Sequence, residues 1–193
     1  MDSLDSFIIM KHYGSNKREP LHSIEDVQIH PSYEGKNRNY DLAALKSADC
    51  LSQGRDSHMK LASLLDYALL SLAERLTLLG FGGFRSIDTG PSGRRLRQAH
   101  VYSVSSRACA ETGTGAALRH LVPGGGGAPP GLCAGVLWRR AAPCNYCSGA
   151  PLLLGGRLLG LMADNPQCGV ACEPQLYVNL PALAHWIQCT IGN

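Results

Sequence analysis

The chain has 193 residues with 45% hydrophobic and 17% charged side chains, enough apolar material for a sizeable core, which excludes a wholly disordered chain. No apolar run reaches the roughly 18 to 20 residues needed to span a bilayer, and a formal charge of +3 without a basic stripe gives no reason to expect nucleic acid as a partner. Twenty-two Gly and 11 Pro against 6% aromatics favour a loop-rich β architecture over a helical bundle.

In chain order, Met1-Asp2-Ser3-Leu4-Asp5 is acidic where a secretory signal needs a basic start, and Phe7-Ile8-Ile9-Met10 is too short for its apolar stretch. No Asn-x-Ser/Thr sequon occurs. Ile24, Val27 and Ile29 suit a strand, closed by the turn cluster His30-Pro31-Ser32-Tyr33-Glu34-Gly35. Leu42-Ala43-Ala44-Leu45 follows Asn39-Tyr40-Asp41 as a short buried element. Between Leu61 and Leu79 the leucines permit helix or strand, and the end of the run, Leu76 to Gly82, reads better as a strand entering a glycine bend. Arg94 to Val104 is a further strand.

Residues 111–131 contain seven Gly and three Pro and are expected to form a flexible loop. Pro151 to Leu154 and Arg157 to Met162, split by Gly155-Gly156, read as a hairpin. The last element, from Pro181 through Ile187, has an early Pro and places Leu183, Ile187 and Ile191 on one face of a short helix.

Eight cysteines stand at positions 50, 109, 133, 144, 147, 168, 172 and 189. Three readings are open on the residues alone. Cys144-x2-Cys147 with Cys168-x3-Cys172 has the pairing of a four-cysteine zinc module. The first pair could be a redox Cys-x-x-Cys, although no βαβ pattern surrounds it. The third reading is a set of structural disulfides.

The string Cys144-Asn145-Tyr146-Cys147-Ser148-Gly149-Ala150-Pro151-Leu152 resembles the nucleophile segment of trypsin-like serine proteases, Cys-x-Gly-Asp-Ser-Gly-Gly-Pro-Leu. In the same register Asn39-Tyr40-Asp41-Leu42-Ala43-Ala44-Leu45-Lys46 is similar to the family's triad-aspartate segment, and Ile29-His30-Pro31-Ser32-Tyr33 to the stretch before it. Gly80-Phe81-Gly82, Cys133-Ala134-Gly135, Leu176-Tyr177-Val178 and Trp186-Ile187 fall where the family has related motifs, so the resemblance runs from about Ile24 to the C-terminus. It implies an all-β fold, two barrels with a short C-terminal helix. The expected N-terminal barrel is incomplete (residues 1–90) and the C-terminal barrel complete (residues 91–193), with exposed strand edges in the first. By the same resemblance Cys109 pairs with Cys133 and Cys144 with Cys168. A third family bridge is missing, and both its positions are apolar, Leu76 and Leu154. Cys50, Cys147, Cys172 and Cys189 have no family partner.

The resemblance assigns Asp41 and Ser148 to the catalytic triad, which also needs a histidine to take the serine's proton. The family carries it in a Thr-Ala-Ala-His-Cys segment upstream of the aspartate. No such segment occurs here, His12, His22 and His30 lie outside that register, and the chain is expected to begin after it. Tyr146 replaces the glycine whose N–H helps bind the oxyanion, and Cys147 replaces an aspartate that orders the loop. Of the specificity-pocket positions, Ala142 takes the place of the trypsin aspartate, Asp164 and Asn165 follow Ala163 in the lining strand, and Gln175 replaces a wall glycine. The pocket is therefore expected to be filled.

The implied function is a catalytically inactive protease homologue, with a non-catalytic binding role at most. The alternatives are a serine endopeptidase, if a longer form supplies the histidine, and the zinc module. No cofactor is implied. The partner is an unidentified protein or a polyanion, for which Arg94-Arg95 with Arg97 and Arg139-Arg140 are candidate contacts, although solvated loop charge is the simpler reading. Family resemblance implies secretion, although the acidic start of this chain is not expected to act as a signal.

Overall fold

In the structure, a computed structural model, residues 7–9, 21–35, 40–49, 59–82, 96–111, 129–136, 146–164 and 174–192 are described. Three strands open the chain: β1 (Phe7–Ile9), β2 (Leu21–Ile29) and β3 (Ala43–Ser47), which pair antiparallel in the order β1-β2-β3. A bulge between Ile24 and Asp26 shifts the β2–β3 register. The segment expected to be buried at 42–45 is buried only at Leu42. Leu45 is 52% exposed, because strand alternation turns it to the outer face.

The leucine-rich run divides. α1 (Leu64–Ala68) is a single short helix, and β4 (Arg75–Gly80) is a strand. Ser63 caps α1: its hydroxyl accepts the Asp66 N–H, while the Asp66 carboxylate accepts the Ser63 N–H at 2.7 Å. The helical spacing does not mark a buried face, since Leu64, Leu65, Leu69 and Leu72 are all more than half exposed.

β4 is followed by β5 (Arg97–Val104), β6 (Gly131–Gly135), β7 (Pro151–Leu154), β8 (Arg157–Asp164) and β9 (Gln175–Asn179). These six strands form one closed antiparallel barrel in the order β4-β5-β6-β9-β8-β7, with β7 returning to β4. The barrel thus takes in a strand lying ahead of the expected division at residues 90 and 91. Leu76 and Leu78 of β4 are fully buried in its interior and supply part of the core that closure requires.

Period-2 alternation sorts the barrel's apolar residues into two clusters. Leu132 and Ala134 of β6 and Tyr177 of β9 point into the barrel. Cys133, Leu176 and Val178 point the other way, into a second cluster with Leu42, Leu180 and Leu183. For this reason β6 and β9 are buried at every position. The hairpin between β7 and β8 turns at Gly155 (φ 55°) and Gly156 (φ 81°), a pair of left-handed positions that favour glycine.

The expected loop at 111–131 is narrower than its composition suggests. Asn179 holds Pro129 and Pro130, its side-chain amide and backbone N–H each donating at 2.8 Å to their carbonyls, and Gly131 already belongs to β6. Residues 112–128 lie outside the described residues. A five-residue helix with no counterpart in the sequence reading, α2 (Ser106–Ala110), is capped by the Ser105 hydroxyl. It places Cys109 in a disulfide with Cys133, as the resemblance implied.

At the C-terminus a 3-10 turn (Pro181–Leu183) leads into α3 (Ala184–Ile191). Leu183 is buried, whereas Ile191 is 70% exposed, so the expected apolar face fades along the helix. Trp186 of α3 meets His30, which also stacks on Tyr40 with ring centroids 4.8 Å apart. This trio ties the N-terminal sheet to the end of the chain.

Candidate active site

The segment resembling a nucleophile loop, residues 146–150, leads directly into β7. Tyr146 is the first described residue of this segment, and its ring is buried in the barrel core, 3% exposed. Space for it comes from Gly80 at the end of β4: a Cβ there would lie 2.6 Å from Tyr146 Cδ1 and 3.1 Å from Cε1. Burial pushes the Tyr146 hydroxyl pKa up, and the nearby Arg97 guanidinium partly counters that. Tyr40 and Ala73 are the non-glycine residues with positive φ among the described residues, so Tyr146 sits in an ordinary L-residue conformation.

After Tyr146 the chain turns tightly. The Ala150 N–H donates to the Cys147 carbonyl at 3.0 Å, Gly149 takes φ 85°, and the Gly149 N–H donates to the Met162 carbonyl of β8 at 2.7 Å. Cys147 is an exposed free thiol. Ser148 is exposed too, and its hydroxyl donates to the Ala163 carbonyl at 3.4 Å.

Asp41 stands half-buried in the connection to β3, between Tyr40 and Leu42. Among the described residues no hydrogen bond or ion pair joins it to Ser148. His30, ahead of it, is buried, with Nδ1 accepting the Ser32 N–H at 3.2 Å. Desolvation lowers its pKa from the usual histidine value. It serves as a packing residue between Tyr40 and Trp186.

Gln175 is fully buried at the start of β9, and its Oε1 accepts the Tyr177 hydroxyl at 2.5 Å. Deep burial drives the Tyr177 pKa far upward. Asp164 ends β8 opposite Leu176. Ala142, Cys144, Asn165 and Cys168 lie outside the described residues, as do Cys50, Cys172, Arg94, Arg95, Arg139 and Arg140. The Cys144–Cys168 pairing and three of the four thiols of the zinc reading fall there. Among the described residues no group of three or more His, Cys, Asp or Glu side chains is placed to hold a metal.

The family bridge absent from this sequence has a structural counterpart. β4 and β7 pair with Thr77 opposite Leu153 and Leu78 opposite Leu152, so the same register brings Leu154 opposite Leu76. Leu76 is buried in the barrel core and Leu154 packs against it. The contact that sequence reasoning missed is the one between Tyr146 and Gly80, far apart in the chain.

An all-β chain with a closed six-stranded antiparallel barrel, a C-terminal helix and a serine on the loop entering β7 has the architecture of trypsin-like serine proteases. The family model for Trypsin matches residues 5–187, and the chain belongs to that family. Among known proteins it is similar to alkaline trypsin C of Manduca sexta, 24% identical over 176 residues, which covers 90% of this chain and 64% of that protein. Trypsin CFT-1 of Choristoneura fumiferana is 23% identical over 177 residues, with the same coverage. Transmembrane protease serine 11G of Mus musculus is 21% identical over 183 residues, 91% of this chain and 41% of that protein. The chain thus spans less than two thirds of the length of these relatives. Among the described residues no helix is long and apolar enough to cross a membrane.

Proposed function

We propose that this chain is a catalytically silent member of the trypsin family that acts, if at all, by binding. The observation carrying this reading is Tyr146. At the position matched to the oxyanion glycine stands a side chain whose ring is embedded in the barrel core. A backbone N–H serves an oxyanion only when it is free to point at the developing charge. The buried ring ties residue 146 to the barrel core.

One sequence feature supports the reading: Cys147 stands where the family has an acidic residue. Gln175, buried and bonded to Tyr177, supports a filled specificity pocket. The Cys109–Cys133 disulfide supports an oxidising compartment and hence secretion.

The exposure of Ser148 favours a second reading, an active endopeptidase whose histidine comes from sequence beyond these residues. One experiment separates the two. The protein and its Ser148→Ala variant are exposed to a fluorophosphonate probe and to peptide ester substrates. No labelling and no turnover are expected; labelling that vanishes in Ser148→Ala would establish a working serine and overturn the proposal.

A further inference from the structure

The loop that carries Ser148 is held by few backbone bonds, and the side chain that anchors it is buried in the barrel. We infer that Tyr146 is a positioning residue, locking residues 146–150 into one conformation by seating its ring against Gly80. The inference rests on reading this segment as the nucleophile loop, but its test is independent of catalysis.

The fit between the two residues leaves no room for a Cβ at position 80. Cβ atoms essentially never approach another heavy atom as closely as the 2.6 Å that an alanine at position 80 would impose on the tyrosine ring. The ring cannot swing aside as the end of a long flexible side chain can, because it is packed among barrel residues such as Leu78, Leu152 and Tyr177. Gly80 does not lie at positive φ, so a side chain there meets no backbone strain. Its absence of Cβ serves the ring alone.

What the ring holds is specific. Residue 146 is followed by the turn in which the Ala150 N–H reaches the Cys147 carbonyl and the Gly149 N–H reaches the Met162 carbonyl. Cys147, Ser148 and Gly149 are themselves exposed and contribute no apolar anchor. The loop is therefore pinned by Tyr146 on one side and by Ala150, buried at the entry to β7, on the other. Any other arrangement of Ser148 that moves residue 146 must first draw the ring out of the core.

The test is amide hydrogen exchange on the folded protein, read at Gly149 and Ala150, with the Asn179 N–H, bonded to Pro130, as a barrel reference. Tyr146→Ala and Gly80→Ala are each expected to speed exchange at Gly149 and Ala150 by about tenfold or more while Asn179 is little changed, because the opening is local. Tyr146→Phe keeps the ring and is expected to keep the protection. In a Tyr146→Ala background Gly80→Ala should add nothing, since there is no ring to displace. Should Tyr146→Ala fail to fold, Gly80→Ala and Tyr146→Phe carry the comparison. Unchanged exchange at Gly149 and Ala150 in Gly80→Ala, or an equal rise at Asn179, would overturn the inference. A fluorophosphonate result bears only on the proposed function, so the two can fail separately.

Discussion

Replacing Leu76 and Leu154 together by cysteine should introduce a disulfide across the seam between β4 and β7. The β4–β7 register brings these residues opposite each other, and directly opposed positions in an antiparallel pair have Cα atoms about 4.5 to 5.5 Å apart, within the range a disulfide accepts. The bridge closes a loop of roughly 80 residues, shortened to roughly 50 by Cys109–Cys133, and the chain-entropy relation gives about 4 kcal/mol for it. Against this stands the loss of apolar side chain. Leu76 is fully buried, and shortening it to cysteine costs about 1.5 kcal/mol at about 0.8 kcal/mol per buried methylene, with less for the partly buried Leu154. The oxidised double variant should therefore gain about 1 to 2 kcal/mol, a rise of about 2 to 8 °C in Tm for a domain of this size. Each single variant should lose about 1 to 2 kcal/mol. Non-reducing peptide mapping and thermal melts of oxidised protein measure both effects. Two additional free thiols in the folded, oxidised double variant would refute the register argument.

Ser63→Ala should destabilise the protein by about 1 kcal/mol in denaturant titration, because α1 loses its cap. Asp66 has its pKa lowered, first by the Ser63 N–H and then by the Ser63 hydroxyl, with Arg157 adding to it. Its share of stability should be present above the ordinary carboxylate range and fade as the pH falls through the lowered value, and Asp66→Asn should flatten that acid limb. His30, with its pKa lowered by burial, favours its neutral form in the fold. The protein should lose Tm as the pH drops below about 6.5, where the unfolded chain takes up the proton first, and His30→Phe should lose less over the same interval. Gln175→Leu should cost about 1 to 3 kcal/mol, since it strips a buried tyrosine hydroxyl of its acceptor; Gln175→Glu, which retains an acceptor oxygen, is the control for shape. Thermal melts over a pH series read the Asp66 and His30 predictions, and melts at one pH read the Gln175 variants.

Legibility in the sequence followed the range of the interactions. The β7–β8 hairpin was readable because Gly155-Gly156 and the flanking leucines are adjacent in the chain. The family register was readable because Asp41, Ser148 and the motifs around them keep their order and spacing, and the paired change at Leu76 and Leu154 held in three dimensions. Where local signals conflicted, tertiary packing decided. The leucines from 61 to 79 fit two periods, and it was contact with β5 and β7 that made 75–80 a strand. α2 is not legible because one turn of helix has no period to detect, although Ser105 ahead of it is a cap signal. At the site, the sequence marks Tyr146 only as a replacement for the oxyanion glycine. That its ring enters the core depends on Gly80, and no spacing rule links the two.

The seam between β4 and β7 also bears on how the molecule reaches its native state. β7 and β8 meet across a two-residue turn, and β8 pairs β9 a short distance along the chain, but β7 can find β4 only after more than half of the barrel sequence has been brought round. Loop-closure entropy disfavours such distant pairing, so the contact that shuts this barrel is expected to form late. Until then β4 and β7 each present an unpaired edge to other chains. For the edges of β4 and β7, the expected hazard of misassembly belongs to the interval before closure and ends with the finished barrel.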